Sequence, residues 1–394
     1  RCTSGYVSHP FCSPTRAGLL TGRYQQRFGH ENNPAYNPTD AVAGLPLTEK
    51  LLPQFLQEAG YRTGWIGKWH LGATPAHTPW ARGFEQTYGF IGGGHSFSAW
   101  AIDVKKEYNV PLTRDGKVTA EVPAHLTEAF GKEAAGFVTR NAGAPWMLYL
   151  AFNAPHTPHM PTAEREKQFA DVKDPTRRKC LAQISLLDDA IGEVTRALAT
   201  SGQTQDTLIF FFSDNGGTPP SLGADNTPLR GNKGMVYEGG IRVPFVVSWP
   251  AQLKAGSIYA EAVSSLDVAA TALALLGGGL VCKARDLDVL ALGAEPAAAL
   301  GVDVDRATQR TFLVASWLAA ANKSILGSKM GTARVAVDVP ALIDHHRAGR
   351  LDLAGMVSST HTLDDIQDAF DEVWRGDVVR TVVLPNGTVT GNPT

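Results

Sequence analysis

Three runs of strand length, the second and third almost wholly apolar and each cut off by a polar cluster, constrain this chain more than any other feature. Tyr61 to Gly67 runs into GKWHLG, Met147 to Phe152 (MLYLAF) into NAPHTPH, and Thr207 to Phe212 (TLIFFF) into SDNGG. A strand with no polar face is buried on both sides, which calls for helices over both faces of a largely parallel sheet. Helical spacing appears between the runs. Leu51, Leu52, Phe55, Leu56 and Ala59 precede Gly60, and Leu181, Ile184, Leu187, Ile191, Val194 and Leu198 precede Gly202. The expected fold class is therefore α/β. In open α/β sheets ligands sit outside the carboxyl ends of the strands. Lys68, His70, His156, Asp214 and Asn215 are thus expected at one edge, in one site.

Composition narrows the possibilities by exclusion. The chain has 394 residues, 43% of them hydrophobic and 19% charged, which suits a globular protein with a substantial core. A net charge of −2 gives no electrostatic basis for nucleic acid or an anionic membrane surface. No apolar run is long enough to span a bilayer. The four cysteines, Cys2, Cys12, Cys180 and Cys282, form neither a disulfide framework nor a CxxC zinc spacing. The chain opens on Arg1 with no signal segment, and its compartment stays open.

The segment CSPTRAGLLTGR, Cys12 to Arg23, carries the most specific chemistry. A helix is expected from Pro14 to about Leu20, with Cys12 just before it, where the helix dipole favours an anion. A thiolate nucleophile would be stabilised there. Arg16, one turn on, would face the same site. SDNGG offers Asp214 and Asn215 as hard oxygen ligands for Ca²⁺ or Mg²⁺. Lys68 and His70, two residues apart, would point to one side if the backbone stays extended.

With GYRTGWIGKWHLG (Gly60 to Gly72) and LRGNKGMVYEGGIRVP (Leu229 to Pro244), the Cys12 segment resembles the signatures of the sulfatase family. The resemblance implies an alkaline-phosphatase-like fold and hydrolysis of a sulfate ester, on a small molecule or carbohydrate. It implies that Cys12 is oxidised to formylglycine, whose hydrate offers one hydroxyl to attack sulfur and a second to expel sulfate. A formylglycine-generating or anaerobic sulfatase-maturating enzyme would then be a partner. Arg16 would hold the hydrate or sulfate oxygens, Lys68 a sulfate oxygen, and His70 would act on the hydrate. His156 would donate toward the leaving oxygen, while His159 is structural. Lys233 would neutralise charge as the S–O bond breaks. Residue 12, Asp214 and Asn215 would be metal ligands. A formylglycine phosphonate or phosphate-ester hydrolase is the alternative within the same chemistry.

Two departures accompany this resemblance. The family draws two further metal-binding aspartates from a first strand, and residues 1–11 contain no Asp or Glu. The chain is therefore expected to lack that strand and to bind metal weakly. The resemblance also stops near residue 278. After a junction at 279–310, dense in alanine and leucine, residues 311–394 resemble the tail of a medium-chain zinc-dependent alcohol dehydrogenase, through ILGSKMG, AGRLDL and LDDIQDAF. An inactive chimera is the reading that follows if neither half is complete. That tail brings neither zinc ligands nor a GxGxxG loop, and Gly277-Gly278-Gly279 does not replace one. Strands are expected at FLVASWL, near Val357 and at Val378 to Leu384, with helices at Val339 to His346 and Ile366 to Val373. Sulfatases are often exported and dehydrogenase tails are cytoplasmic, so the two resemblances disagree on compartment. Substrate choice would lie in the loop Gly89 to Trp100.

Overall fold

The computed structural model describes residues 1–98, 106–281, 359–362, 368 and 381–384. The chain divides into two units, Arg1–Asn322 and Lys323–Thr394. In the first, β1 (Cys2–Tyr6) leads into α1 (Cys12–Thr21), followed by α2 (Leu52–Glu58), β2 (Arg62–Lys68) and β3 (Gln86–Phe90). The short strands β4 (Thr113–Arg114) and β5 (Lys117–Val118) precede α3 (Leu126–Arg140) and β6 (Trp146–Ala151). Then come α4 (Ala163–Lys167), α5 (Pro175–Thr200), β7 (Ile209–Phe212), α6 (Glu238–Ile241), β8 (Phe245–Ser248), β9 (Tyr259–Ser264) and α7 (Leu266–Val281).

Local chemistry explains the boundaries. α5 starts where Asp174 accepts hydrogen bonds from the amides of Thr176 and Arg177, with Pro175 in the first turn. α1 ends at Gly22, whose left-handed backbone (φ 65°) returns its N–H to the Gly18 carbonyl. The helical spacing that begins at Leu51 yields a helix only from Leu52. Pro53 has no N–H to give and is confined to the first turn.

The strands form two sheets, in the orders β5-β4-β3-β2-β6 and β7-β8-β1-β9. β2 runs parallel to both β3 and β6, with Gly67 opposite Gly89 on one side and Ala151 on the other. Its alternation sends Ile66 to a core with Tyr88, Phe90, Phe130, Ala134 and Phe137. Trp65 goes to the opposite core with Ala17, Leu20, Trp69 and Phe84. Both faces of β2 are thus covered. The expectation of one largely parallel sheet needs correcting. β7 lies in the second sheet and pairs antiparallel with β8. The chain between them carries loops and the four-residue α6, not a crossover helix.

In the second unit, β10 (Ser359–Thr362) and β11 (Thr381–Leu384) pair in parallel. β11 falls within the expected strand Val378 to Leu384, and β10 lies just beyond Val357. The strand FLVASWL, the helix Val339 to His346, most of Ile366 to Val373 and residues 282–310 lie outside the described residues. Gly277 to Gly279 fall within the span of α7. No helix among the described residues is long and apolar enough to cross a membrane.

Candidate active site

The sequence motifs converge at the ends of β2, β6 and β7 and at the start of α1. Cys12 opens α1 and is 2% exposed. Its thiol is held between the Lys233 ammonium, 3.2 Å from Sγ, and the Asn215 side-chain oxygen at 3.4 Å. These partners lie 221 and 203 residues away in sequence. The Lys233 segment is pinned on both sides. Lys233 donates its N–H to the Gly217 carbonyl at 2.8 Å, and Gly234 to the Pro10 carbonyl at 3.1 Å.

Arg16 does face this site, and its guanidinium is fully engaged. Nε and Nη2 both donate to one Asp214 oxygen, at 2.9 and 2.7 Å. Nη1 donates to the Lys68 carbonyl at 2.9 Å and to the Tyr149 hydroxyl at 3.2 Å. Burial alone would raise the Asp214 pKa. Arg16, Lys68 and Lys233 overcome that and hold the carboxyl well below the usual carboxylate range.

Lys68 ends β2 and is 2% exposed. Burial lowers its pKa, Arg16 and Lys233 lower it further, and Cys12 and Asp214 oppose that shift. Gly67, just before it, has a φ of 116°, and a Cβ there would lie 2.1 Å from the Ala151 carbonyl oxygen. Only glycine lets β2 and β6 close at this point.

The extended backbone assumed for Lys68 and His70 does not continue. β2 stops at Lys68, and His70 adopts a left-handed conformation at φ 62°. Both side chains nevertheless reach one neighbourhood. Burial, followed by the charges of Lys68 and Arg16, drives the His70 pKa well below its ordinary value. Its Nδ1 is buried without a partner. His156 is pushed down to about 3 by burial and by Lys68 and Lys233. It is a neutral ring whose Nδ1 lies 2.7 Å from the Thr157 carbonyl, which can only accept. The proton therefore sits on Nδ1, and Nε2 presents a lone pair. His159 Nε2 meets the Leu222 carbonyl at 2.9 Å.

Of the loop Gly89 to Trp100, the residues through 98 are described. Gly93 lies against the His70 ring. Tyr108 meets His156 edge-on at 6.0 Å. Sequence reasoning missed Tyr149, Ser13, His30, Asn33 and Tyr108. Only Tyr149 left a trace, as a hydroxyl inside an otherwise apolar strand.

A divalent metal fits this donor set poorly. Asp214 is neutralised by Arg16, and Asn215 is turned toward Cys12. Among the described residues no group of three or more His, Cys, Asp or Glu side chains could hold a metal ion. Arg16, Lys68 and Lys233 surround a single carboxylate, an arrangement that favours an anion.

Comparison with known proteins agrees with the motifs. The sulfatase family profile matches residues 1–278, and that of the FecCD transport family matches residues 248–328. N-acetylgalactosamine-6-sulfatase of Mus musculus is 34% identical over 296 residues, covering 70% of this chain and 55% of that protein. The Homo sapiens protein of the same name is 34% identical over 293 residues, covering 69% and 54%. A crystal structure of Ps i-CgsB in complex with k-i-k-neocarrahexaose superposes with a TM-score of 0.66 at 38% identity. It covers 70% of this chain and 63% of that one. The chain thus spans about half the length of the curated relatives it matches. A family match over residues 1–278, with the family's signature residues gathered around one thiol, leads to one conclusion: this chain belongs to the sulfatase family.

Proposed function

We propose that this chain carries the catalytic centre of a sulfuric ester hydrolase, built on residue 12. The observation that carries the reading is the Lys233 ammonium lying 3.2 Å from Cys12 Sγ, with Arg16 and Lys68 behind it. Sγ stands where an oxygen of formylglycine would be. When that modification is present, its hydrate supplies both the hydroxyl that attacks sulfur and the hydroxyl that later releases sulfate. The maturation would require a formylglycine-generating or anaerobic sulfatase-maturating enzyme as partner.

The chain's own residues divide the remaining work. Lys233 and Lys68 hold the anionic sulfuryl group and balance charge gathering on its oxygens. Arg16 fixes Asp214 and the Lys68 carbonyl, so it orients the site rather than binding substrate freely. His156 presents an Nε2 lone pair that can take a proton, and it donates toward a leaving oxygen only after doing so. His70 is neutral and faces the same group of charges.

Divalent-metal use is general to the family, and Asp214 and Asn215 are the donors this chain would offer to Ca²⁺ or Mg²⁺. Because Arg16 already occupies Asp214, binding is expected to be weak. Tight, stoichiometric uptake of Ca²⁺ by calorimetry would refute this.

The substrate class is a carbohydrate or small-molecule sulfate ester. The names of the N-acetylgalactosamine-6-sulfatases and the carrageenan-type oligosaccharide bound to Ps i-CgsB support it. Beyond a junction at 279–310 we keep the reading of residues 311–394 as an appendage similar to a dehydrogenase tail that contributes no chemistry. The decisive experiment is turnover of 4-nitrocatechol sulfate with peptide mass spectrometry on residue 12. Turnover lost in Cys12→Ala, together with an aldehyde mass at that position, supports the proposal. An unmodified thiol and no turnover after co-expression with a maturating enzyme would refute it.

A further inference from the structure

His70 holds a backbone conformation that side chains other than glycine adopt at a cost. Something must enforce it. Its N–H donates to the Ile91 carbonyl at 3.0 Å, and its carbonyl accepts from the Ser13 hydroxyl at 2.5 Å. Gly93 leaves room for the ring, since a Cβ there would sit 2.7 Å from His70 Nε2. Ser13 is fully buried and adjoins Cys12. Its own N–H donates to the Asn33 side-chain oxygen at 2.9 Å, and its Oγ lies 2.7 Å from His30 Nε2. His30 Nδ1 in turn lies 3.1 Å from the Gly44 carbonyl.

Counting protons fixes the direction of this chain of bonds. A serine hydroxyl has one hydrogen, and the His70 carbonyl can only accept it. Ser13 Oγ must then accept from His30, so His30 Nε2 carries the proton. The Gly44 carbonyl at Nδ1 can likewise only accept, so both ring nitrogens of His30 face acceptors, and both contacts are satisfied together only by the doubly protonated ring, which burial disfavours.

We infer that Ser13 and His30 are positioning residues that lock His70 against residue 12. The inference rests on the sulfatase reading for its catalytic consequence, and on geometry alone for the hold on His70. Ser13 links the two halves of the site because one residue touches both. Its peptide bond carries Cys12, and its hydroxyl holds His70 in the left-handed turn. Without that hydroxyl the His70 backbone is free to relax, and a displacement of about 1 Å at such a group can cost on the order of 100-fold in rate.

The test uses the full chain with ¹⁵N-labelled histidine. Nitrogen shifts should show His30 protonated at Nε2, the nitrogen that meets the Ser13 hydroxyl. In Ser13→Ala the His70 ring signals should move. With 4-nitrocatechol sulfate, kcat should fall about 10- to 100-fold while KM stays within about twofold. His30→Phe should behave the same way, and His30→Gln, which keeps a donor, should restore most of the rate. A His30 ring with no proton on Nε2 would overturn the inference. So would a Ser13→Ala protein with unchanged His70 signals and unchanged kcat. If the parent protein has no turnover, the sulfatase reading fails, and the Nε2 proton and the His70 shift still decide the positioning network.

Discussion

The two sheets supply the same site from opposite conditions of burial. β2 is covered on both faces from Thr63 to Lys68, whereas the second sheet leaves Phe211 of β7 43% exposed and Val246 of β8 39% exposed. The covered sheet delivers Lys68 and, through the turn beyond it, His70. The open sheet delivers Asp214, Asn215 and the loop bearing Lys233. One cation is therefore embedded in a packed strand at a cost in desolvation, and the other rides on a half-buried loop against Cys12. The contrast teaches that the fixed part of the charge pattern comes from the rigid sheet. The part nearest Cys12 comes from the less buried one.

The largest effect should come from breaking the covered side. Phe130 is fully buried and packs against Phe90 and Tyr88. Phe130→Ala should cost about 3–5 kcal/mol in urea unfolding, from lost transfer energy and the cavity left behind. A loss below about 1 kcal/mol would mean that this core collapses readily and that the two sheets differ less than their burial indicates.

Next comes the link between the sheets. Asp214→Ala strands the Arg16 guanidinium, which is 5% exposed, without its counter-ion. Removing one partner of a buried pair costs about 3–5 kcal/mol, and the lower end is expected here because the Lys68 carbonyl and Tyr149 hydroxyl remain. The loss depends on pH. Since the folded pKa of Asp214 is depressed, its contribution is complete above the unfolded value near 4 and disappears as pH falls through the lower, folded value. Parent and Asp214→Ala stabilities should therefore converge only in strong acid.

His156 should act over a different window. Its folded pKa of about 3 lies below the unfolded value near 6.5, so the unfolded chain binds the extra proton between those limits. Stability from the neutral ring is complete above about pH 6.5 and falls as the solution is acidified toward 3. His156→Gln should flatten that slope in chemical denaturation at pH 4 to 7. An unchanged slope would mean that His156 is open to water and that the two lysines do not reach it.

Much of this was legible because burial writes itself into sequence. TLIFFF and MLYLAF could only be strands, and the spacing of Leu181 to Leu198 could only be a long helix. β1 was not legible. CTSGY shows no apolar alternation, because Gly5 has Phe245 packed where its side chain would be and the strand is held between β8 and β9. The motif residues Cys12, Lys68, His70, His156, Asp214, Asn215 and Lys233 stood out by position at strand ends and by resemblance to the sulfatase signatures. Their pairings did not. Arg16 and Asp214 lie 198 residues apart, and nothing local shows that each will consume the other's charge. Nor does GKWHLG announce that its histidine turns left-handed, since that conformation is imposed by Ser13 and Ile91 from elsewhere in the chain.

The smallest effect should be found on the open sheet. Phe211 alternates with Phe210 and Phe212 along β7, and Phe212 stacks on Phe245 at 4.8 Å while Phe211 faces outward. A strand read as buried on both faces is thus buried on one. Phe211→Thr introduces a β-branched side chain suited to a pleated, half-exposed surface. It should change unfolding free energy by no more than about 0.5 kcal/mol, the range of surface substitutions generally. A loss of several kcal/mol would place Phe211 under a cover as complete as that of Phe130. The second sheet would then be as closed as the first, and the distinction between an embedded Lys68 and a loop-borne Lys233 would lose its structural basis.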